Sequence, residues 1–140
     1  MFNETIALTG ALTITKNDEV VVDTHNLVVT AGKGLVAGCL SGVSTPITKM
    51  SVGTGTTAAA AGDTALVTAV DTNALTVSGG TLSGAAVQYA CTWAAGDGTG
   101  ALTEAGLFSA ADVMLARTVF AVVNKGSADT VTITWTVTIS

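Results

Sequence analysis

The stretch TVTITWTVTI, residues 130–139, alternates without a slip. Val131, Ile133, Trp135, Val137 and Ile139 fall on one side of an extended chain, and five threonines, Thr130 to Thr138, fall on the other. Successive side chains of a strand point to opposite faces, so a period of two written in β-branched residues describes a strand with one buried face. The same rule applies upstream. Val87, Tyr89, Cys91 and Trp93 form a second alternating face, and Ile6, Leu8, Leu12 and Ile14 a third, with Gly10 expected at a bulge. Shorter strands are expected over residues 19–23, 47–52 and 75–78, and a pair over 102–108 and 113–120. Turn signals stand between them: Asn17-Asp18, Ser78-Gly79-Gly80, Gly96-Asp97-Gly98 and Asn124-Lys125-Gly126.

One segment reads differently. After Asn26, an expected N-cap, Val28, Ala31, Leu35 and Cys39 recur at spacings of three and four, which predicts one short helix over about residues 27–40. Many short strands separated by Gly and Asn turns indicate two sheets packed face to face. No composition shift marks a boundary. The expected fold is therefore all-β: residues 1–140 as a single β-sandwich domain, jelly-roll-like, with that one helix.

Composition narrows the function. A chain of 140 residues is long enough to bury a core without staples, and with aromatics at 4% that core must be aliphatic. Charged residues are 11%, against about 25% in an ordinary soluble domain. No run of about 18–20 apolar residues exists to span a membrane as a helix, because Lys33 and Arg117 break the most apolar stretches. A surface of Thr, Ser, Ala and Gly points to coverage by neighbours, and so to assembly. Net charge is −5, and the basic residues are scattered at Lys16, Lys33, Lys49, Arg117 and Lys125. No basic stripe can be drawn, so direct nucleic-acid binding is not expected. Glu4 and the lack of a basic n-region argue against a signal peptide.

Chemical motifs were weighed in turn. SVGTGTTAAAAGDTAL, residues 51–66, resembles a phosphate loop at first sight. A Walker loop needs Gly-Lys followed by Ser or Thr, and a dinucleotide fingerprint needs a third glycine opening a helix. Here no lysine follows Gly55, and Gly62 precedes the carboxylate of Asp63. The expectation is a solvent-facing contact loop built on Gly53, Thr54, Gly55, Thr56, Thr57, Gly62 and Asp63. Its glycines permit turns, and Asp63 closes one.

Asp97-Gly98-Thr99-Gly100 is not an Asp-Thr-Gly protease turn, and Asp97 reads as a turn residue. His25, beside Asp23, has no serine in a G-x-S-x-G setting to serve and reads as a loop or cap residue. Cys39 and Cys91 with a single histidine do not make a zinc site, and both are expected as buried free thiols. A lectin would favour exposed aromatics, whereas Trp93 and Trp135 point with the core faces. No enzyme, cofactor or metal is expected. Glu104 and Arg117 are singled out for structure instead. If Phe108 opposes Val113 in a hairpin, Glu104 lies directly opposite Arg117 as a structural ion pair.

MSVGTGTTAAAAGDTAL, residues 50–66, and the run from Gly98 to the end resemble small structural proteins of tailed-bacteriophage virions. The most specific part is TEAGLF at 103–108 with LART at 115–118. Residues 70–88 match poorly and are expected to be a variable loop region. Segments of tail-fibre and tail-collar proteins share the pattern, but no coiled coil, collagen-like repeat or receptor-binding extension is present. The chain therefore looks most like a capsid cement (decoration) protein. That resemblance implies a non-enzymatic virion component on the capsid exterior, assembled in the host cytoplasm. Its implied partners are the major capsid protein and itself, as a homo-oligomer (dimer or trimer), with no nucleic acid and no membrane. A tail-fibre attachment or collar component is the alternative.

Overall fold

The computed structural model describes residues 5–140; the N-terminal reading that rests on Glu4 lies outside them. Nine strands and one helix follow in the order β1 (Leu8–Lys16), β2 (Glu19–Val28), α1 (Thr30–Ser41), β3 (Ile47–Gly53), β4 (Ala69–Ala74), β5 (Thr81–Ser83), β6 (Ala86–Trp93), β7 (Gly100–Ser109), β8 (Met114–Lys125) and β9 (Val131–Ile139). All pairings are antiparallel, in the spatial order β4-β3-β7-β8-β2-β1-β9-β6-β5. The fold is all-β and single-domain, as the alternating segments require. Its two layers are halves of one sheet curled into a half-barrel. The hinge is β2, which pairs with β1 along its length but with β8 only at Leu27–Arg117 and Val28–Ala116.

The concave faces meet in one core. Val131, Ile133 and Trp135 of β9, Cys91 and Trp93 of β6, and Leu12 and Ile14 of β1 are at most 1% exposed. They pack in one cluster with Met50, Val52, Leu102 and Leu107 from the other half. Burying such a side chain is worth about 1.5–3 kcal/mol, which makes this cluster the main stabilising feature. The threonines of β9 stay half-buried on the convex face, where Thr92 and Thr132 share a hydrogen bond of 2.9 Å.

Local chemistry explains the joints. Asn17 and Asp18 both have positive φ, 51° and 67°, which a two-residue β1–β2 hairpin demands and which Asn and Asp tolerate. The β1–β2 bulge falls between Ile14 and Thr15, so the bulge expected at Gly10 is corrected. Gly10 serves a different need. A side chain there would collide with Asn26, which reaches across β1 to accept the Trp135 Nε1 hydrogen bond at 2.5 Å. Asn26 is therefore a strand residue and not the helix cap; Val29 occupies that position without a side-chain cap bond. α1 packs so closely on β8 that a Cβ on Gly32 would lie 2.1 Å from the Leu115 carbonyl oxygen. It stoppers one end of the half-barrel. At the other end, buried Lys125 donates from Nζ to the Ala94 carbonyl at 2.9 Å, so β8 runs through a position expected in a turn.

Three more expectations are revised. The strand expected at 75–78 lies instead at Ala69–Ala74. The expected variable loop at 70–88 contains most of β4, all of β5 and the start of β6. Of the two free cysteines, Cys91 is buried but Cys39, in the last turn of α1, is exposed at the edge of the face that Leu35 buries. Burial pushes the Cys91 thiol up to about 12, which keeps it protonated and inert.

Candidate functional site

Alternation along β7 sends Ala105 and Leu107 into the core and leaves Glu104 and Gly106 on the convex face, and the irregularity between Leu102 and Glu104 brings Leu102 back to the core side. That face would be wet if the sheet were the whole protein. Residues 54–68, between β3 and β4, fold back over it and form a third layer. Glu104 and Arg117, both 0% exposed, lie between this loop and the sheet.

The expected pair exists. Arg117 donates from Nε (3.1 Å) and Nη2 (2.9 Å) to Glu104 Oε2. The expected register does not hold. Glu104 is opposite Val119 and Arg117 opposite Gly106, because Phe108 pairs with Met114 instead of Val113 and an irregularity between Leu107 and Phe108 shifts the hairpin by one more residue. The two side chains meet diagonally, two residues out of direct opposition, which is within the reach of a long arginine. Gly106, opposite Arg117, leaves room for apolar neighbours: a Cβ there would lie 3.0 Å from Phe108 Cε2, 3.1 Å from Leu66 Cδ2 and 3.2 Å from Met114 Cε.

Glu104 is the anchor of the loop. Its Oε1 accepts the backbone N–H of Gly55 (3.0 Å) and Thr68 (2.8 Å), and its Oε2 accepts that of Val67 (3.0 Å). Arg117 extends the hold outward, from Nη2 to the Thr57 carbonyl (2.8 Å) and from Nη1 to Asp63 Oδ2 (2.9 Å). Thr103 adds a hydroxyl bond to the Gly55 carbonyl at 2.8 Å. A glycine-rich loop does cradle an anion here, but the anion is the protein's own carboxylate. Gly53 and Gly55 are small for that reason. A Cβ on either would lie 2.6 or 2.5 Å from Glu104 Oε1.

Electrostatics follow from this geometry. Burial alone would raise the Glu104 carboxyl, but the Thr68, Val67, Arg117 and Gly55 hydrogen bonds together outweigh it and hold the group below the ordinary carboxylate range. Asp63 is also held low: the Ala60 backbone hydrogen bond acts most strongly, burial opposes it, and Arg117 adds to the lowering through its hydrogen bond and its charge. Glu104 is ionised and its oxygens are filled by five donors, which leaves it a poor proton acceptor for a substrate.

The contact loop is thus partly corrected. Gly53 and Gly55 are buried and face the clamp instead of solvent, and neither has the positive φ of a turn glycine. Thr54 is half-buried and donates its N–H to the Thr68 carbonyl at 2.9 Å. Thr56, Thr57 and Gly62 are exposed at the loop's outer side. Asp63 closes the turn as expected, with reciprocal bonds to Ala60 of 2.9 and 3.0 Å, and also joins the clamp. The parts that Val67, Thr68 and Thr103 play in the clamp went unnoticed in the sequence. For the first two there was no signal, because they act through backbone N–H groups. Asp97 closes the 94–97 turn, whereas His25 is an exposed β2 residue and neither loop nor cap.

No protein-family model, curated protein or solved structure matches the chain.

Proposed function

We propose that this chain is a non-enzymatic structural protein of a tailed-phage virion, which binds the lattice of major capsid proteins from outside and reinforces it. The observation that carries the reading is the clamp. The residues that resemble virion proteins, TEAGLF, LART and the glycine loop, converge on one buried constellation, Glu104 and Arg117 beneath residues 54–68. Such a device rigidifies a loop before it meets a partner, which lowers the entropic cost of binding. The outer side of that loop, with Thr56, Thr57, Ala58 and Gly62, offers small, uncharged, exposed residues that fit closely against a neighbouring surface. Repeated over a lattice, and among copies of the chain itself, modest contacts add up through avidity.

Copy number in purified virions, by quantitative mass spectrometry, tests this directly. Hundreds of copies per particle support the lattice role; about six to a few dozen would replace it with a tail-fibre or collar role. Thr56→Arg and Gly62→Arg should reduce capture by empty heads while leaving the unfolding midpoint of the isolated chain unchanged. Undiminished capture by both variants would overturn the loop as the contact.

A further inference from the structure

Between α1 and the end of the half-barrel lies a half-open cavity of about 290 Å³. Leu35 and Val36 of α1, Ile47, Leu115 and Val137 of three strands, and the ring of Tyr89 line it. A sealed cavity of about 150 Å³ lined by such side chains holds benzene. One twice that size suits a body of roughly 10–12 non-hydrogen atoms. A second, independent observation is Tyr89 itself. It lines the cavity and is 7% exposed, and its hydroxyl has no hydrogen-bond partner among the described residues but is not sealed from solvent. Its ring is fixed against Gly80, where a Cβ would come within 2.7 Å of Tyr89 Cδ1. Burial, with Cys39 beside it, pushes the phenol above its usual range, so the hydroxyl keeps its proton. A hydroxyl that lines the cavity with no protein partner is free to donate to a ligand acceptor.

We propose that this cavity binds a small apolar molecule with one polar terminus, its body against Leu35, Val36, Leu115 and Val137 and its terminus on the Tyr89 hydroxyl. The class is compact aromatic or short aliphatic alcohols and carbonyl compounds. This site is separate from the clamped loop and does not depend on the virion role.

The experiment titrates 2-naphthol and naphthalene into the isolated chain and follows methyl NMR signals. The expected result is saturable shifts confined to Leu35, Val36, Leu115 and Val137, with a dissociation constant on the order of 10–100 µM for 2-naphthol. Naphthalene should bind about five-fold more weakly, the worth of one hydrogen bond. Tyr89→Phe keeps the ring on Gly80 and should make the two affinities equal; Val36→Phe should fill the cavity and abolish both. No saturable shift at the solubility limit, shifts centred on exposed Ile6 and Leu40 instead, or a naphthol preference unchanged in Tyr89→Phe would each overturn the proposal. If Val36→Phe fails to fold, the Tyr89→Phe comparison decides alone.

Discussion

Two carboxylates hold two joints of this molecule with nearly the same chemistry and opposite surroundings. Glu104 takes three backbone N–H groups and a guanidinium, all beneath a loop and out of water. Asp129 takes the Gly126 N–H (2.8 Å), the Asn17 amide (2.9 Å) and Lys16 at 3.6 Å, tying the β1–β2 turn to the β8–β9 turn at the surface. Hydrogen bonds hold both below the ordinary carboxylate range, from Asn17 first at Asp129, and against burial at Glu104. Burial separates their consequences. Around Asp129, water can replace any partner that is lost. Around Glu104 it cannot reach, so each missing partner leaves an orphaned charge or donor.

That contrast is sharpest on deletion. Arg117→Ala should destabilise the chain by about 3–5 kcal/mol in urea unfolding, because Glu104 stays buried without its counter-ion. Arg117→Lys should recover only part, since an ammonium does not reproduce the fork that reaches Glu104, Asp63 and Thr57 together. Replacing both Glu104 and Arg117 with leucine should not restore stability, although for an isolated ion pair it often would. Three backbone N–H groups would still lack an acceptor, at about 1–3 kcal/mol each. A double variant as stable as the wild type would show that the loop is not hung on the carboxylate.

Gly55→Ala comes next, at about 1–3 kcal/mol, because the added methyl meets the carboxylate and neither can retreat far. Faster amide exchange at Val67 and Thr68 than elsewhere would localise the damage to the loop. Unchanged exchange there would separate the glycine from the clamp.

Acid should act more gently, removing a charge but leaving the carboxyl in place. The folded-state values of Glu104 and Asp63 lie below those of the unfolded chain, roughly 4.3 and 3.9. Their contribution is therefore complete above that range and is lost as pH falls through the folded values. Unfolding midpoints taken from pH 6 downward should fall over that window, and Glu104→Gln should flatten much of the slope. A slope unchanged in Glu104→Gln would assign the acid sensitivity elsewhere. The smallest effect is expected at the surface joint. Asp129→Asn should leave global unfolding nearly unchanged and speed exchange only at the Gly126 amide, and added salt should blur the difference for Lys16.

Sequence alone determined the strands that alternate and the residues they bury. Period two is a local property, so β9, β6 and most of β1 were legible from Trp135, Cys91, Leu12 and their neighbours. The need for Glu104 and Arg117 to meet was legible too, since a chain this poor in charge gives few candidates. Their register was not, because bulges shift a hairpin without leaving a mark in the pattern. Gly10, Gly53 and Gly55 show the same limit. In sequence these glycines read as a bulge at Gly10 and as turns at Gly53 and Gly55; here each is small because groups distant along the chain, Asn26 at Gly10 and Glu104 with the 67–68 segment at Gly53 and Gly55, must lie against it. Only the tertiary structure turns a loop that looked solvent-facing into the cover of a buried ion pair. The deciding bonds run from backbone N–H groups about 36–49 residues away, and every residue but proline carries that group, so no side-chain pattern could announce it.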